Sequence, residues 1–206
     1  MEEDILKYIN KITKKATMPK RILEHFILMG TSTVSDIAKN IDVSLPTAAA
    51  ALNDLMVHGL VKEVGKKETT TGRIPMLYDL NPKAGYFVGA NPEMSHLALT
   101  ATDFCGNPIV EKTNVPYLYE NTVENLEQMG QILNQFIDSL PVKREDILNV
   151  CVNIAERVNA HEGKTYTIFS FNEEPLTKRI SEMIDLPVCI ENDTRSMTYA
   201  ALIKGS

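Results

Sequence analysis

Arg73 is the side chain in this sequence best suited to meet a polyanion. It follows Gly72 at the end of the polar stretch Lys66-Lys67-Glu68-Thr69-Thr70-Thr71-Gly72-Arg73. A guanidinium on a flexible loop can enter a narrow A·T-rich minor groove, where the negative potential is strongest. Lys66 and Lys67, with Lys39 and Lys62, are candidates for phosphate, although such lysines are more often simply solvated. Upstream, Ser44-Leu45-Pro46-Thr47 opens a segment whose polar side carries Pro46, Thr47, Ala49, Ala50, Asn53 and Asp54. Thr47 can meet a thymine methyl or a base edge and Asn53 an adenine or a phosphate, whereas the alanines offer only apolar contact. Ser44, Pro46, Thr47, Asn53, Lys66, Lys67 and Arg73 are thus the candidate contacts to double-stranded DNA. The remaining reactive side chains are scattered. Cys105, Cys151 and Cys189 lack CxxC or Cys/His spacing, and the last two sit in apolar runs, so all three are expected to be reduced core thiols. His25, His58, His96 and His161 are isolated, and neither a metal site nor a catalytic cluster is expected.

The net charge of −6 argues against a nucleic-acid binder until it is divided at Asn81-Pro82-Lys83. Residues 1–83 hold 12 Lys and Arg against 10 Asp and Glu, net +2, and residues 84–206 hold 9 against 17, net −8. The first part can approach DNA, and the second would be repelled by it. Two domains, 1–83 and 84–206, are therefore expected. No stretch nears the roughly 18 uninterrupted apolar residues of a membrane span, and the acidic start Met1-Glu2-Glu3-Asp4 is unlike a signal peptide. A cytoplasmic protein with no membrane contact follows as an expectation.

Spacings of three and four predict amphipathic helices over 5–15 and 19–29. Thr33-Val34-Ser35-Asp36 has the form of a capping box ahead of a short helix, Val34–Asn40. Ser44 is a good N-cap with Pro46 in the first turn, and Leu45, Ala48, Leu52 and Leu55 form one apolar stripe before Gly59 ends the helix. Two helices, a tight turn and a third opened by Ser-x-Pro-Thr predict a helix-turn-helix. Alternating segments Leu60–Gly65 and Met76–Leu80 on either side of the polar loop predict a β-wing.

From Gly85 the period changes. Strands are predicted at Tyr86–Ala90, His96–Thr102 and Ile109–Val115, with Asp103–Asn107 as a turn. A capping box at Asn121–Glu124 precedes a helix carrying Leu126, Met129, Leu133, Phe136 and Ile137, which Pro141 stops. A buried strand Ile147–Ile154, a helix Pro175–Asp185, a strand Val188–Ile190 and a helix Thr194–Lys204 complete the order β-β-β-α-β-α-β-α. That order describes one lobe of a ribonuclease H-like, actin-type ATPase fold, so the chain is expected to be an α+β multidomain protein, a winged helix-turn-helix followed by one such α/β lobe.

Several stretches together resemble the ROK family of repressors and sugar kinases: Gly72-Arg73-Ile74-Pro75 at the wing, Gly85-Tyr86-Phe87-Val88-Gly89, the Asp103–Asn107 turn, and Leu186-Pro187-Val188-Cys189-Ile190-Glu191-Asn192-Asp193-Thr194-Arg195. The resemblance implies that Asn192 and Asp193 hold sugar hydroxyls, an anionic acceptor being suited to binding a hydroxyl. An N-cap of the last helix is the alternative role for the same pair. Where kinase members carry a glycine-rich phosphate loop, this chain has Asn91-Pro92-Glu93-Met94-Ser95-His96, which has neither the paired glycines nor a welcome for phosphate. Where regulators often carry Ser-Gly-Arg-Val-Asn, it has Ala155-Glu156-Arg157-Val158-Asn159, and the next small or amide position falls near Ser170. The family's second lobe, with its zinc cluster, is not within these 206 residues. The implied function is a DNA-binding transcriptional regulator of carbohydrate metabolism, a repressor, homodimeric, without enzymatic activity or cofactor, and controlled by a carbohydrate effector. Two alternatives stay open: a DNA-binding module whose degenerate lobe serves dimerisation without ligand control, and a sugar kinase remnant.

Overall fold

Hydroxyl side chains start three of the helices in the first eighty residues. In a computed structural model, which describes residues 2–13, 17–67, 74–171 and 173–204, α1 spans Glu2–Thr13 and α2 Met18–Met29. Helix α3 spans Val34–Asn40 and α4 Leu45–Val57. Thr17, Thr33 and Ser44 each accept an amide three residues on, and Asp36 reaches back to the Thr33 amide to complete a capping box. The turn between α3 and α4 is tight because Asp42 adopts φ +54°, a left-handed conformation that a short polar side chain tolerates. It lets the Val43 amide close back onto the Ala38 carbonyl at 3.0 Å. Ile22, Phe26, Ile37, Ala48, Leu52 and Leu55 fill the centre of this bundle.

Two expectations for this region need correction. Leu45 does not join the α4 stripe; it lies in the first turn and is 51% exposed, while Ala48, Leu52 and Leu55 are buried. Strand β1, Val61–Lys66, pairs antiparallel with β2, Met76–Leu80, but it does not alternate in burial. Only Val61 is buried: Glu63, on the same face, is already exposed, and beyond it the register slips between Glu63 and Gly65, where Gly65 sits at φ +144°. Ser32 adds a single antiparallel bridge to Tyr78, tying the start of α3 to this hairpin.

His25 is buried in α2, its Nε2 2.9 Å from Ser32 Oγ. Burial holds its pKa below the usual 6.5, against an opposing pull from Asp36. The unfolded chain therefore binds the proton more readily. The stabilisation is complete above about pH 6.5 and is lost as pH falls through that value toward the depressed folded pKa. The thermal midpoint of the first unit should fall between about pH 7 and about pH 5, and His25→Gln should flatten that dependence. A midpoint equally acid-sensitive in the variant would assign the effect elsewhere.

The chain divides into two compact units, Met1–Ala84 and Gly85–Ser206. The second is built on a five-stranded sheet in the order β5-β4-β3-β6-β9. Strands β3 (Tyr86–Pro92), β4 (His96–Asp103) and β5 (Pro108–Pro116) form an antiparallel meander, and β6 (Ile147–Ile154) and β9 (Val188–Asn192) run parallel to β3. A two-residue hairpin, β7 (Val158–Asn159) with β8 (Lys164–Thr165), was not foreseen from the sequence. Helices α5 (Val123–Asp138) and α6 (Leu176–Ile184) bury Leu126, Met129, Phe136, Ile180 and Ile184 in one core with Val88, Leu99, Val150, Val152 and Ile190 of the sheet. Gly130 allows their close approach, since a Cβ there would lie 2.9 Å from Met183 Sδ. The last helix, α7, spans Asp193–Lys204. No helix among the described residues is long and apolar enough to cross a membrane.

The cap of α5 is also not where the sequence pattern places it. Thr122, not Asn121, accepts the Asn125 amide, and Glu124 completes no capping box. Asn121 instead donates to the Thr167 carbonyl at 3.1 Å and accepts from the Phe169 amide at 2.7 Å. The three cysteines are free thiols, as expected, but they are not core residues. Cys151 is half-buried and Cys189 exposed, because successive strand residues face opposite ways and these two share the face away from the α5–α6 core.

Candidate functional site

In the first unit, α4 presents an exposed face of Ser44, Pro46, Thr47, Ala49, Ala50 and Asn53. The burial of Ala48, Leu52 and Leu55 on the opposite side fixes this orientation. Ser44 Oγ and Thr47 Oγ1 lie 2.7 Å apart, so one hydroxyl proton is shared between them and the Thr47 methyl is left as an apolar contact. Asp54 is not a free reader. It accepts from Tyr8 Oη at 2.5 Å and lies 3.6 Å from His58 Nδ1, and the Tyr8 ring stacks on His58 at 3.7 Å. Burial, with the Asp54 carboxylate beside it, pushes the Tyr8 phenol well above its usual range, so it stays a donor. These contacts lock α1 against the end of α4.

The wing residues fare unequally. Lys66 and Lys67 are exposed, but Lys67 Nζ lies 3.4 Å from Asp36 Oδ2, and its amide donates to the Pro75 carbonyl at 2.9 Å. Hydrogen bonding from Thr33, with Lys67 nearby, holds the Asp36 carboxyl below the usual carboxylate range. Lys67 thus ties the wing to the start of α3 and would have to exchange that partner for a phosphate. Arg73 lies outside the described residues.

In the second unit the carboxyl ends of β6 and β9 bring Glu156, Asn192 and Asp193 together, the end of a parallel sheet at which ligands commonly bind. Asn192 Nδ2 donates to the Glu156 carbonyl at 3.0 Å, and its Oδ1 accepts from the Arg195 amide at 3.1 Å. Asp193 Oδ1 accepts from the Thr194 amide at 2.7 Å. Both side chains therefore hold the start of α7. Residues the sequence pattern did not single out shape the loop beside them. The Glu156 carboxylate accepts from the Ile168 amide at 2.8 Å and from the Thr167 hydroxyl. Arg179 Nη1 donates to the Phe169 carbonyl at 3.3 Å. Buried Phe169 is held at φ +56°, a costly conformation for an aromatic residue that its anchors must sustain. Tyr119 Oη is buried with no hydrogen-bond partner among the described residues. Burial, then the Glu156 and Asp193 carboxylates, keep that phenol protonated. A cavity of about 240 Å³ opens on this loop, bordered by Lys164, Tyr166, Ser170 and Glu173 among others, with the Arg157 guanidinium 4.8 Å from the Tyr166 ring centroid. Ser170 lines it; Asn192 and Asp193 do not.

No protein-family model matches the chain. Individual proteins do. The chain is 21% identical to the xylose repressor of Bacillus subtilis (strain 168), over 93% of its own length and 50% of the repressor's. A protein of Caldicellulosiruptor sp. (strain Rt8B.4), which carries the xylose repressor name provisionally, is 26% identical over 93% of this chain and 47% of its own length. A solved ROK family transcriptional regulator, a homologue of the E. coli Mlc protein, has the same fold over 89% of this chain and 47% of its own, with a TM-score of 0.66 at 17% identity. The chain is thus similar to xylose repressors along nearly all of its length, and it shares the fold of a solved ROK family regulator. It spans about half the length of the curated relatives it matches. At residues 91–96 the end of β3 closes directly into β4. The Glu93 amide donates to the His96 carbonyl at 2.8 Å, and the Glu93 carboxylate lies 3.2 Å from His96 Nε2. This hairpin turns a carboxylate, not a cradle of amides, toward that end of the sheet.

Proposed function

We propose that this chain is a DNA-binding repressor of carbohydrate metabolism, dimeric on its operator, non-enzymatic, and working in the cytoplasm. The observation that carries the reading is the α4 face, whose small and polar side chains stand exposed at the N-terminal half of a helix fixed by Ala48, Leu52 and Leu55, within a chain similar to xylose repressors over 93% of its length. Helix α4 enters the major groove with Ser44, Pro46, Thr47 and Asn53 toward the bases, while Lys66, Lys67 and Arg73 take phosphates and the minor groove. Paired helix-turn-helix units read two half-sites, which is the reason to expect a homodimer. Asn192 and Asp193 belong to the effector site, and the partnerless Tyr119 hydroxyl beside Asp193 is a further donor for a sugar oxygen. The carbohydrate acts by preferring an arrangement that DNA does not, so each ligand weakens the other by the same factor. Phosphoryl transfer is not expected, since Pro92 and Glu93 occupy the turn where a phosphate cradle would lie.

Fluorescence anisotropy of the full 206-residue chain with labelled duplex DNA, titrated with pentoses and hexoses, tests the regulatory half of this reading. One sugar should lower DNA affinity, and Asp193→Ala should abolish that effect without altering sugar-free binding. DNA binding that no sugar changes would favour an unregulated module.

A further inference from the structure

Cys151 and Cys189 are direct partners in the parallel pairing of β6 with β9. Adjacent strands lie roughly 4.8 Å apart, within the span of about 4.4–6.8 Å between Cα atoms that a disulfide bridges. Each cysteine alternates with core residues, Cys151 between Val150 and Val152 and Cys189 beside Ile190, so both thiols project on the face opposite the α5–α6 core. We propose that this pair is a peroxide-sensitive modification site, in which Cys189 is the attacking thiol and Cys151 the resolving thiol of an intramolecular disulfide.

The two positions differ in the way such a division of labour requires. Cys189 is exposed, whereas Cys151 is half-buried. A hydrogen bond from Cys151 to Cys189 stabilises a thiolate on Cys189 and lowers its pKa, although burial and Glu191 oppose this. The same hydrogen bond, together with burial, raises that of Cys151. The thiolate is the nucleophile, so reactivity concentrates on Cys189. The oxidant is hydrogen peroxide. Cys189 thiolate attacks one peroxide oxygen, the O–O bond breaks, and a sulfenic acid forms with hydroxide as the leaving group. Cys151 then attacks the Cys189 sulfur, the S–OH bond breaks, and water leaves carrying the Cys151 proton. Overall two thiols are oxidised, and one peroxide is reduced to two waters. Cys105 lies apart in the Asp103–Asn107 turn, where its amide donates to Asp103 Oδ1, and serves as the internal control.

The folded full chain is treated briefly with hydrogen peroxide, quenched with catalase, alkylated in denaturant and mapped by mass spectrometry. Of its three thiols, two should disappear together, in a peptide pair joining Cys151 to Cys189, with Cys105 still alkylated. In Cys151→Ser, dimedone should trap a sulfenic acid on Cys189. In Cys189→Ser, oxidation of Cys151 should slow on the order of tenfold or more. Oxidation of wild-type Cys189 to sulfinic or sulfonic acid without the cross-link, a disulfide between two chains instead of within one, or Cys151 reacting as fast without Cys189 would each overturn the proposal.

Discussion

Raising monovalent salt from about 50 mM to about 200 mM is expected to weaken DNA binding by this chain about a thousandfold, the loss that follows when a protein neutralises some six phosphates and the released counterions drive association. Such a contact number fits a dimer in which each copy offers lysines at positions 39, 62, 66 and 67, which are exposed on the first unit, and Arg73. The acidic second half contributes repulsion and steepens the requirement for these cations. Binding isotherms at several salt concentrations give the slope directly. A flat log–log plot would remove phosphate contact as the source of affinity, and with it the role assigned to the wing.

Leu52→Ala should cost the first unit about 2–5 kcal/mol, the range for deleting a buried leucine side chain. Leu52 is 2% exposed and packs on the inner side of α4, whose outer side is the proposed reading face. A unit of this size has stability near the lower end of the roughly 5–15 kcal/mol typical of domains, so the loss takes a large share of it. Urea unfolding followed by far-ultraviolet circular dichroism should show an early transition moved to lower denaturant, with DNA binding lost at temperatures where wild type still binds. An unchanged midpoint would mean that Leu52 does not lock α4 in place.

The parts of the fold that sequence made legible are those with local causes. Thr33 with Asp36, and Ser44 with Pro46, announce α3 and α4 because a cap is made within four residues. Where two neighbouring residues could both cap, local pattern failed: Thr122 starts α5 because Asn121 is drawn off by the Thr167 carbonyl and the Phe169 amide, nearly fifty residues away. Cys151 and Cys189 misled for a related reason. Apolar flanks in a parallel strand imply burial on both faces, but here α5 and α6 cover only one. The effector end was the least legible. Asn192 and Asp193 came from a family motif, whereas Glu156, Tyr119, Phe169 and Arg179 acquire their roles only when distant loops meet. The dipeptide strands β7 and β8 are too short for any period to reveal.

The central claim is that the exposed face of α4 reads DNA. Ala50 is exposed at the middle of that face, and glutamate is a good helix former, so Ala50→Glu should leave the denaturation midpoint nearly unchanged while placing an anion against the phosphates and base edges. The measurement is the affinity of wild type and Ala50→Glu for the same duplex at one low salt concentration, with far-ultraviolet circular dichroism confirming equal folding. The account predicts binding by wild type and its loss in the variant. A folded Ala50→Glu chain that binds as wild type does would contradict it.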